Sequence, residues 1–384
     1  MKGRASEGGA HLRSCRLLRS RTSKRVLPPY GGSLYYAGLD LHRKYFTLCV
    51  LTSEGQVVCD HRRLPADLEP LTSILREVGG PVTVTVEATL QWAWLHDRLT
   101  AAGFTVQVAH PQQVKLISHA RCKTDPIDAR KLAELTRVNL LPAIWVPSPE
   151  VRSWRQLIRG RAALVRWRTR AKNRIHGCLA AENLRVATTD LFGRAGREWL
   201  GRVPLSPTAR REIAVQLAVI AALETQITGY DADVRRIAKH PDAQRLQTIP
   251  GIGVFGAALL LAEIGTIRRF STAHELAAYA GLVPSTRSSG DKTSHGGVSG
   301  ASNHWLKWIL IEAVQTLKQV PGPVRFHYER LLRAKGKPKA TVAAARKLCT
   351  YIYWMWTQEL SYAAWLETET KRVGCPMHTL ASSA

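Results

Sequence analysis

The segment Lys123-Thr124-Asp125-Pro126-Ile127-Asp128-Ala129 puts two carboxylates three residues apart at the start of a helix. Pro126 suits the first helical position and Asp125 the cap before it, so a helix is predicted over 126–138. Two more acids sit in strand-like contexts upstream. Asp40 lies in Gly38-Leu39-Asp40-Leu41, and Glu87 in Val84-Thr85-Val86-Glu87-Ala88. Taken singly, these acids have plain explanations: a cap, a solvated helix residue, the end of a strand. Glu87 fits them least, because a charged side chain flanked by apolar strand residues is rarely buried unpaired. Together, Asp40, Glu87, Asp125 and Asp128 predict a Mg²⁺ site, since oxygen-rich carboxylate sets suit that ion and metal ions serve phosphoryl transfer.

The surrounding pattern says where such a site would be built. Leu34–Asp40, Tyr45–Thr52 and Gln56–Arg62 are predicted strands with short connections, His42-Arg43-Lys44 and Ser53-Glu54-Gly55 being turns. Helices over 67–78 and 90–102 then alternate with strands over 81–87 and 104–110, and a helix over 111–119 follows. Three strands in a meander followed by alternating helix and strand is the order of an α/β RNase H-like domain. In that fold, acids from the first strand, a later strand and a late helix gather at one sheet edge.

The charge balance points to the partner. There are 55 Lys and Arg against 29 Asp and Glu in 384 residues, a net charge of +26. A polyanion is the expected ligand. A membrane surface is the rival polyanion, but no run of 18 apolar residues occurs, so no span is predicted. Seven cysteines form no CxxC pair, which argues against structural zinc and for reduced thiols in a cytoplasm. Residues 1–33 are Arg-rich without the apolar core of a secretion signal and are predicted to be a basic disordered tail.

From Val151 to Ala181 there is no acid, and nine Lys or Arg fall between Arg152 and Arg174. One rough apolar stripe runs through this stretch, as in a long helix. Further on, Ile213, Ile220, Ile227 and Val234 recur every seven residues, with Leu223, Tyr230 and Ile237 three beyond in each later heptad. That is a coiled-coil seam. A helical arm over 151–240, used for dimerisation, is the expectation; an ordinary bundle layer is the alternative. Thr248-Ile249-Pro250-Gly251-Ile252-Gly253 before an Ala/Leu-rich helix has the form of a helix-hairpin-helix turn, where Gly251 and Gly253 would let backbone N–H groups approach a phosphate. Residues 281–302, rich in Gly and Ser, are predicted to be a functional loop rather than a surface linker. A basic helix start at Lys337, an aromatic helix over 350–356 and a loose tail complete the chain.

These residues resemble the DEDD-type insertion-sequence transposases, a family also described as bridge-RNA-guided recombinases. The resemblance rests on the tetrad with Lys-Thr-Asp-Pro-Ile-Asp-Ala around its last two members. It continues through Arg168-Thr169-Arg170-Ala171-Lys172-Asn173-Arg174-Ile175-His176, Ile249-Pro250-Gly251-Ile252-Gly253, and Gly281-Leu282-Val283-Pro284-Ser285-Thr286 with Ser288-Ser289-Gly290. It covers roughly residues 34–330.

The resemblance implies a RuvC-like domain over 34–150, a coiled-coil arm over 151–240, a mainly α transposase domain over 241–335 and a C-terminal helix and tail over 336–384. It implies a serine that attacks a DNA phosphodiester and forms a covalent phosphoserine link. The serine before glycine maps onto Ser289, with Ser288 beside it as the alternative. A serine hydroxyl needs activation, and carboxylate-held Mg²⁺ is a more economical source than His295. Where the family has a Ser/Thr-Lys-x-Gly-Asn run, this chain has Ser299-Gly300-Ala301-Ser302-Asn303, without the Lys and the Gly. Arg166, Arg168, Arg170, Lys172, Asn173 and Arg174 are expected to contact nucleic acid, His176 beside them. The implied partners are donor and target DNA, a non-coding guide RNA and further copies of the chain, as homodimer or homotetramer, in a bacterial cytoplasm at the nucleoid. The competing readings are a metal-dependent hydrolytic nuclease of the Holliday-junction type and a non-catalytic nucleic-acid-binding derivative.

Overall fold

A computed structural model describes residues 34–117, 125–186, 188–289, 292–298 and 302–373. Residues 1–33, 118–124, 187, 290–291, 299–301 and 374–384 lie outside them, among them Lys123 and Thr124 of the acidic motif and Gly290 and Ser299 of the serine-rich segment. The chain divides after Val146 into two compact units.

The first unit is a mixed five-stranded sheet with helices. Strands β1 (Tyr35–Leu41), β2 (Tyr45–Leu51) and β3 (Val57–Pro65) form the expected meander. Helix α1 (Leu68–Glu77), strand β4 (Val82–Glu87), helix α2 (Trp92–Ala101) and strand β5 (Thr105–Ala109) follow. Helices α3 (Pro111–Ile117) and α4 (Asp125–Arg137) complete the unit. The strand order is β3-β2-β1-β4-β5. β1 runs antiparallel to β2 and parallel to β4, and β4 is parallel to β5. The short connections explain the antiparallel half, and the helical crossovers explain the parallel half. Asp67 caps α1 through its carboxylate, which accepts from the Leu68 N–H at 2.7 Å. Asp125 is not a cap outside the next acidic helix, as expected from Pro126, but its first residue.

One glycine decides how α4 lies on the sheet. A Cβ on Gly38 would stand 1.9 Å from the carbonyl oxygen of Ala129 and 2.5 Å from the amide nitrogen of Ala133. The bare backbone of β1 therefore lets α4 rest directly on the strand. Ala129 and Ala133, both fully buried, pack with Cys49 and Leu51 of β2. The Thr85 and Thr136 hydroxyls, 2.6 Å apart and buried, tie β4 to the same helix.

The second unit is mainly helical. Its elements begin with α5 (Pro149–Ala181), α6 (Arg194–Arg202), α7 (Pro207–Ile237), α8 (Pro241–Gln247) and α9 (Val254–Ile264). After a 3-10 turn (Ile267–Arg269) come α10 (Ala273–Tyr279), strands β6 (Pro284–Ser289) and β7 (Lys292–Val298), and α11 (His304–Leu317). Helices α12 (Pro323–Lys335), α13 (Lys337–Thr357) and α14 (Tyr362–Val373) close the chain. Both long helices start on a serine cap followed by proline, Ser148 accepting from Val151 N–H and Ser206 from Ala209 N–H, each at 3.3 Å.

The heptad seam is real, but its partner is α5 of the same chain. Ile213 and Ile220 pack with Ala171, Ile175 and Leu179 in a core of their own, while Ile158, Val234 and Ile237 join the large core of the unit. A heptad shows that a helix has a partner without showing whose, so the expectation of a dimer along these residues is corrected. α7 is also long and apolar enough to cross a membrane by length and composition, with a mean hydropathy of 1.3. Counting consecutive apolar residues missed this, because Thr, Gln and Gly interrupt the run. Its partner α5 carries nine Lys or Arg, which a bilayer core would not accept.

Candidate active site

Asp40 lies one residue before the end of β1, and the register pairs its neighbour Leu39 with Val86. Glu87, next after Val86, ends β4. The two acids thus occupy adjacent positions at the same end of parallel strands. Asp125 and Asp128 occupy the first turn of α4, which Gly38 allows onto β1.

Within this edge, Asp40, Asp125 and His42 offer ligand atoms that all lie within 4.8 Å of one another. His42 Nε2 is 3.1 Å from Asp40 Oδ2 and 3.2 Å from Asp125 Oδ2. The Nε2 is buried between the two oxygens. The imidazole stacks on Tyr45 at 4.5 Å, and the Tyr45 hydroxyl donates to Asp125 Oδ2 at 3.1 Å. Lys131 reaches Asp128 at 3.4 Å. Burial pushes the Asp40 carboxyl above its ordinary value of 3.8; the adjacent His42 opposes this, and the charges of Asp125 and Asp128 add to it. Glu87 stands outside the 4.8 Å group.

His42 stands in the turn after β1, a position that by itself gives no sign of a site residue. Its one signal is the spacing: it stands two residues after Asp40, on the same side of an extended strand. Two carboxylate oxygens and a buried imidazole nitrogen, in a cluster where the charges of Asp125 and Asp128 help to push the Asp40 carboxyl up, fit a divalent cation. Asp40 and Asp125 would hold it, with Asp128 and Glu87 beside them and His42 able to supply the nitrogen.

The segment predicted to be a loop is a β-hairpin. Ser288 pairs with Thr293 and Ser289 with Lys292, so Ser289 is the last residue of β6, at the turn. The hairpin has no apolar alternation, which is why its strands were invisible in the sequence. Ser285 Oγ donates to the Gly297 carbonyl at 3.0 Å. The base of the hairpin is tightly closed. Gly281 has φ +67°, and a Cβ there would meet Ser302 Oγ at 2.2 Å. Asn303 returns the chain to Tyr279, its N–H donating to the Tyr279 carbonyl at 2.9 Å, and its side chain caps α11.

The basic helix α5 is less uniform than its sequence suggested. Arg155 and Arg159 turn inward to Glu263, Arg161 pairs with Asp231 at 2.9 Å, and Arg174 with Glu212 at 3.0 Å. Arg168 lies 4.0 Å from Glu224. Lys172 sits over the Phe192 ring at 4.6 Å. Arg166, Arg170 and Asn173 are exposed, as is His176. At the helix-turn-helix formed by α8 and α9, Gly251 has φ +87°, and its Cβ would meet the Ala313 carbonyl at 2.9 Å. Gly253 caps α9 without a side chain.

A five-stranded mixed sheet with an acid cluster at the ends of its central strands is consistent with an RNase H-like DEDD domain. Residues 37–183 match the DEDD transposase family of the IS110 type, and residues 243–329 match the family described as Transposase IS116/IS110/IS902. The chain is 26% identical over 339 residues to the transposase for insertion sequence element IS1111A of Coxiella burnetii, covering 85% of this chain and 90% of that one. It is 27% identical over 244 residues to the transposase for insertion sequence element IS1328 of Yersinia enterocolitica, covering 62% and 72%. The chain belongs to the DEDD-type insertion-sequence transposase family. It is a transposase of IS110/IS116-type elements, an enzyme that acts on DNA.

Proposed function

We propose that this transposase cuts and rejoins DNA through Ser289, with Asp40, Glu87, Asp125 and Asp128 as a Mg²⁺-binding tetrad and with a structured non-coding RNA as guide. The observation that carries the reading is the convergence of Asp40 and Asp125 on one edge of the first unit, 3.1 and 3.2 Å from a shared imidazole nitrogen. A bound divalent ion would polarise phosphate oxygens there. Tyr45 and His42 orient Asp125 and Asp40 through the contacts described above.

In the proposed step, Ser289 Oγ forms a bond to phosphorus as one bridging P–O bond of the DNA breaks. The serine proton leaves to a base, and the departing DNA hydroxyl takes up a proton. Attack by a DNA hydroxyl on the phosphoserine reverses the exchange, so the phosphodiester energy is kept and no ATP is needed. Gly251 and Gly253, with exposed Arg166, Arg170 and Asn173, are the assigned backbone contacts, and Arg168, Lys172 and Arg174 act at their margin. The residues 151–240 serve as the arm, and 241–335 carry the serine. With RNA supplying base pairing, the protein reads shape and backbone. We place its work at the bacterial nucleoid.

At least two copies act together in this reading, since two duplexes are cut. Sedimentation of an active complex as a strict monomer would exclude it. The chemistry is tested by trapping wild-type protein on nicked DNA and sequencing the adduct by mass spectrometry. A nucleotide remnant on Ser289, lost in Ser289→Ala together with cleavage, is expected. A remnant on Ser288 moves the nucleophile by one residue. Cleavage with no adduct identifies a hydrolytic nuclease instead.

A further inference from the structure

Helix α11 carries Trp305 and Trp308 three residues apart, and therefore on neighbouring turns of one face. Their rings meet edge to face at 6.3 Å, and Trp308 meets Phe255 of α9 in the same way at 6.2 Å. Two arginines of α5 close the ends of this strip. Arg166 lies over Trp305 at 5.2 Å and Arg161 over Phe255 at 4.7 Å. The contacts thus run Arg166, Trp305, Trp308, Phe255, Arg161, from three helices that are far apart in sequence.

Core packing explains the inner rings but not the middle one. Trp305 and Phe255 pack partly against the main core of the unit; Trp308 is not among the residues packed there and is 43% exposed. An indole held in the open by aromatic neighbours is an uncommon use of a large apolar group. Its π-face suits a nucleobase, and base–aromatic stacking tolerates any base. The ends of the strip suit the phosphates on either side. Arg166 is exposed, and Asp231 holds the plane of Arg161 at 2.9 Å. Glu312, a turn further along α11, is the acid on that helix nearest in sequence to Trp308. An apolar protein partner would gain nothing from arginines at both ends, whereas a strand of DNA, the substrate class of the family, uses both halves of the surface.

We propose that Trp308 is a stacking platform for an unpaired base of single-stranded DNA, with Arg161 and Arg166 at its flanks. This rests on DNA as the partner and not on the chemistry assigned to Ser289, and the test below involves no cleavage.

The full-length protein is titrated against fluorescein-labelled single-stranded DNA, the matching duplex and the matching RNA strand. Trp308→Ala should weaken single-stranded DNA binding roughly 5- to 150-fold, the range of one base stack. Trp308→Phe should recover most of it, and duplex binding should stay within about 2-fold, because paired bases offer no free face. Ultraviolet cross-linking of wild type to a strand carrying 5-iododeoxyuridine should label the peptide containing Trp308. That measurement decides the matter even if Trp308→Ala fails to fold. Unchanged affinity in a folded Trp308→Ala, an equal loss on duplex, a loss confined to RNA, or a cross-link that maps away from α11 would each overturn the proposal.

Discussion

Two acids are drawn into the interior of this protein in opposite ways. Glu263, at the end of α9, is 0% exposed and is surrounded by donors. Arg159 binds both its oxygens at 2.8 Å, Asn303 donates to one at 2.8 Å, and Arg155 lies 3.8 Å away. Arg155 and Arg269 also cap the last carbonyls of α9. This is a satisfied charge, and it ties α5 and α9 to the foot of the β6–β7 hairpin. Asp40 is 22% exposed and has the reverse environment: its neighbours include two further carboxylates, and the basic group at hand is the imidazole of His42. Burial of an acid therefore does not mark a functional site. The donors around it do, because a cluster with surplus negative charge is complete only when a cation joins it.

The largest effect that would break this contrast is on activity. Asp125→Ala should drop strand cleavage at least about 100-fold, since a metal contributes several kcal/mol to charge stabilisation in the transition state. Its melting temperature should hold or rise, because one of the repelling carboxylates is gone. Full strand exchange by the purified variant would remove the metal assignment. Glu263→Ala should do the opposite. Removing it leaves two guanidinium groups facing a buried space, at a cost of about 3–5 kcal/mol in stability. A melting curve unchanged by this variant would show that the Arg159–Glu263–Asn303 cluster is not structural.

A smaller effect concerns pH. The folded state raises the Asp40 pKa above 3.8, so it binds that proton more tightly than the unfolded chain does. The associated stability is fully present below the unfolded value and is lost as pH rises through the raised one. Glu54, Glu134 and Glu212, held down by hydrogen bonds, act in the opposite sense, so the Asp40 contribution is read against Asp40→Asn: metal-free wild type should lose stability relative to that variant over the window, and Mg²⁺ or Mn²⁺ should restore it above the window by binding the folded form alone. Thermal melts with and without chelator across pH 3–7 check this. A metal-free difference between wild type and Asp40→Asn that stays flat through the window, or no response to either ion, would contradict the surplus-charge picture of the site.

The fold of the first unit was largely legible, because it depends on local signals. Alternating β-branched residues in Val82–Glu87, short turns and helix periodicity are enough to order five strands. The acids were visible as residue types in strand and helix contexts. What brings them together was not, since the role of Gly38 is a contact with Ala129 nearly a hundred positions away. His42 was hidden for the same reason: a histidine in a turn and a histidine between two aspartates have one sequence. In the second unit the heptads announced a seam but not its owner. The β6–β7 hairpin, made of Ser, Thr and Gly, carried no hydrophobic period to read. Glu263 is one charge at the end of an apolar helix, with no sequence signal of its own, because its partners come from α5 and the start of α11.

The smallest prediction tests how much of α5 is left for nucleic acid once its internal pairs are counted. Arg155, Arg159, Arg161 and Arg174 are engaged with Glu263, Asp231 and Glu212. Arg166 and Arg170 remain exposed on the same helix. Each phosphate contact removed should lower the slope of log K against log salt by roughly 0.7–0.9. Converting Arg166 and Arg170 together to Gln should therefore flatten the slope by about twice that amount, with little change in melting temperature. Arg161→Gln should instead disturb the α5–α7 hairpin and change the slope by less, because Asp231 offsets part of the charge that it offers a phosphate beside Trp308. Equal slopes for all three proteins would mean that this face of α5 does not touch phosphate. A larger change from Arg161 than from the exposed pair would mean that the Asp231 contact gives way when DNA binds, and that the division between structural and ligand-facing arginines is drawn in the wrong place.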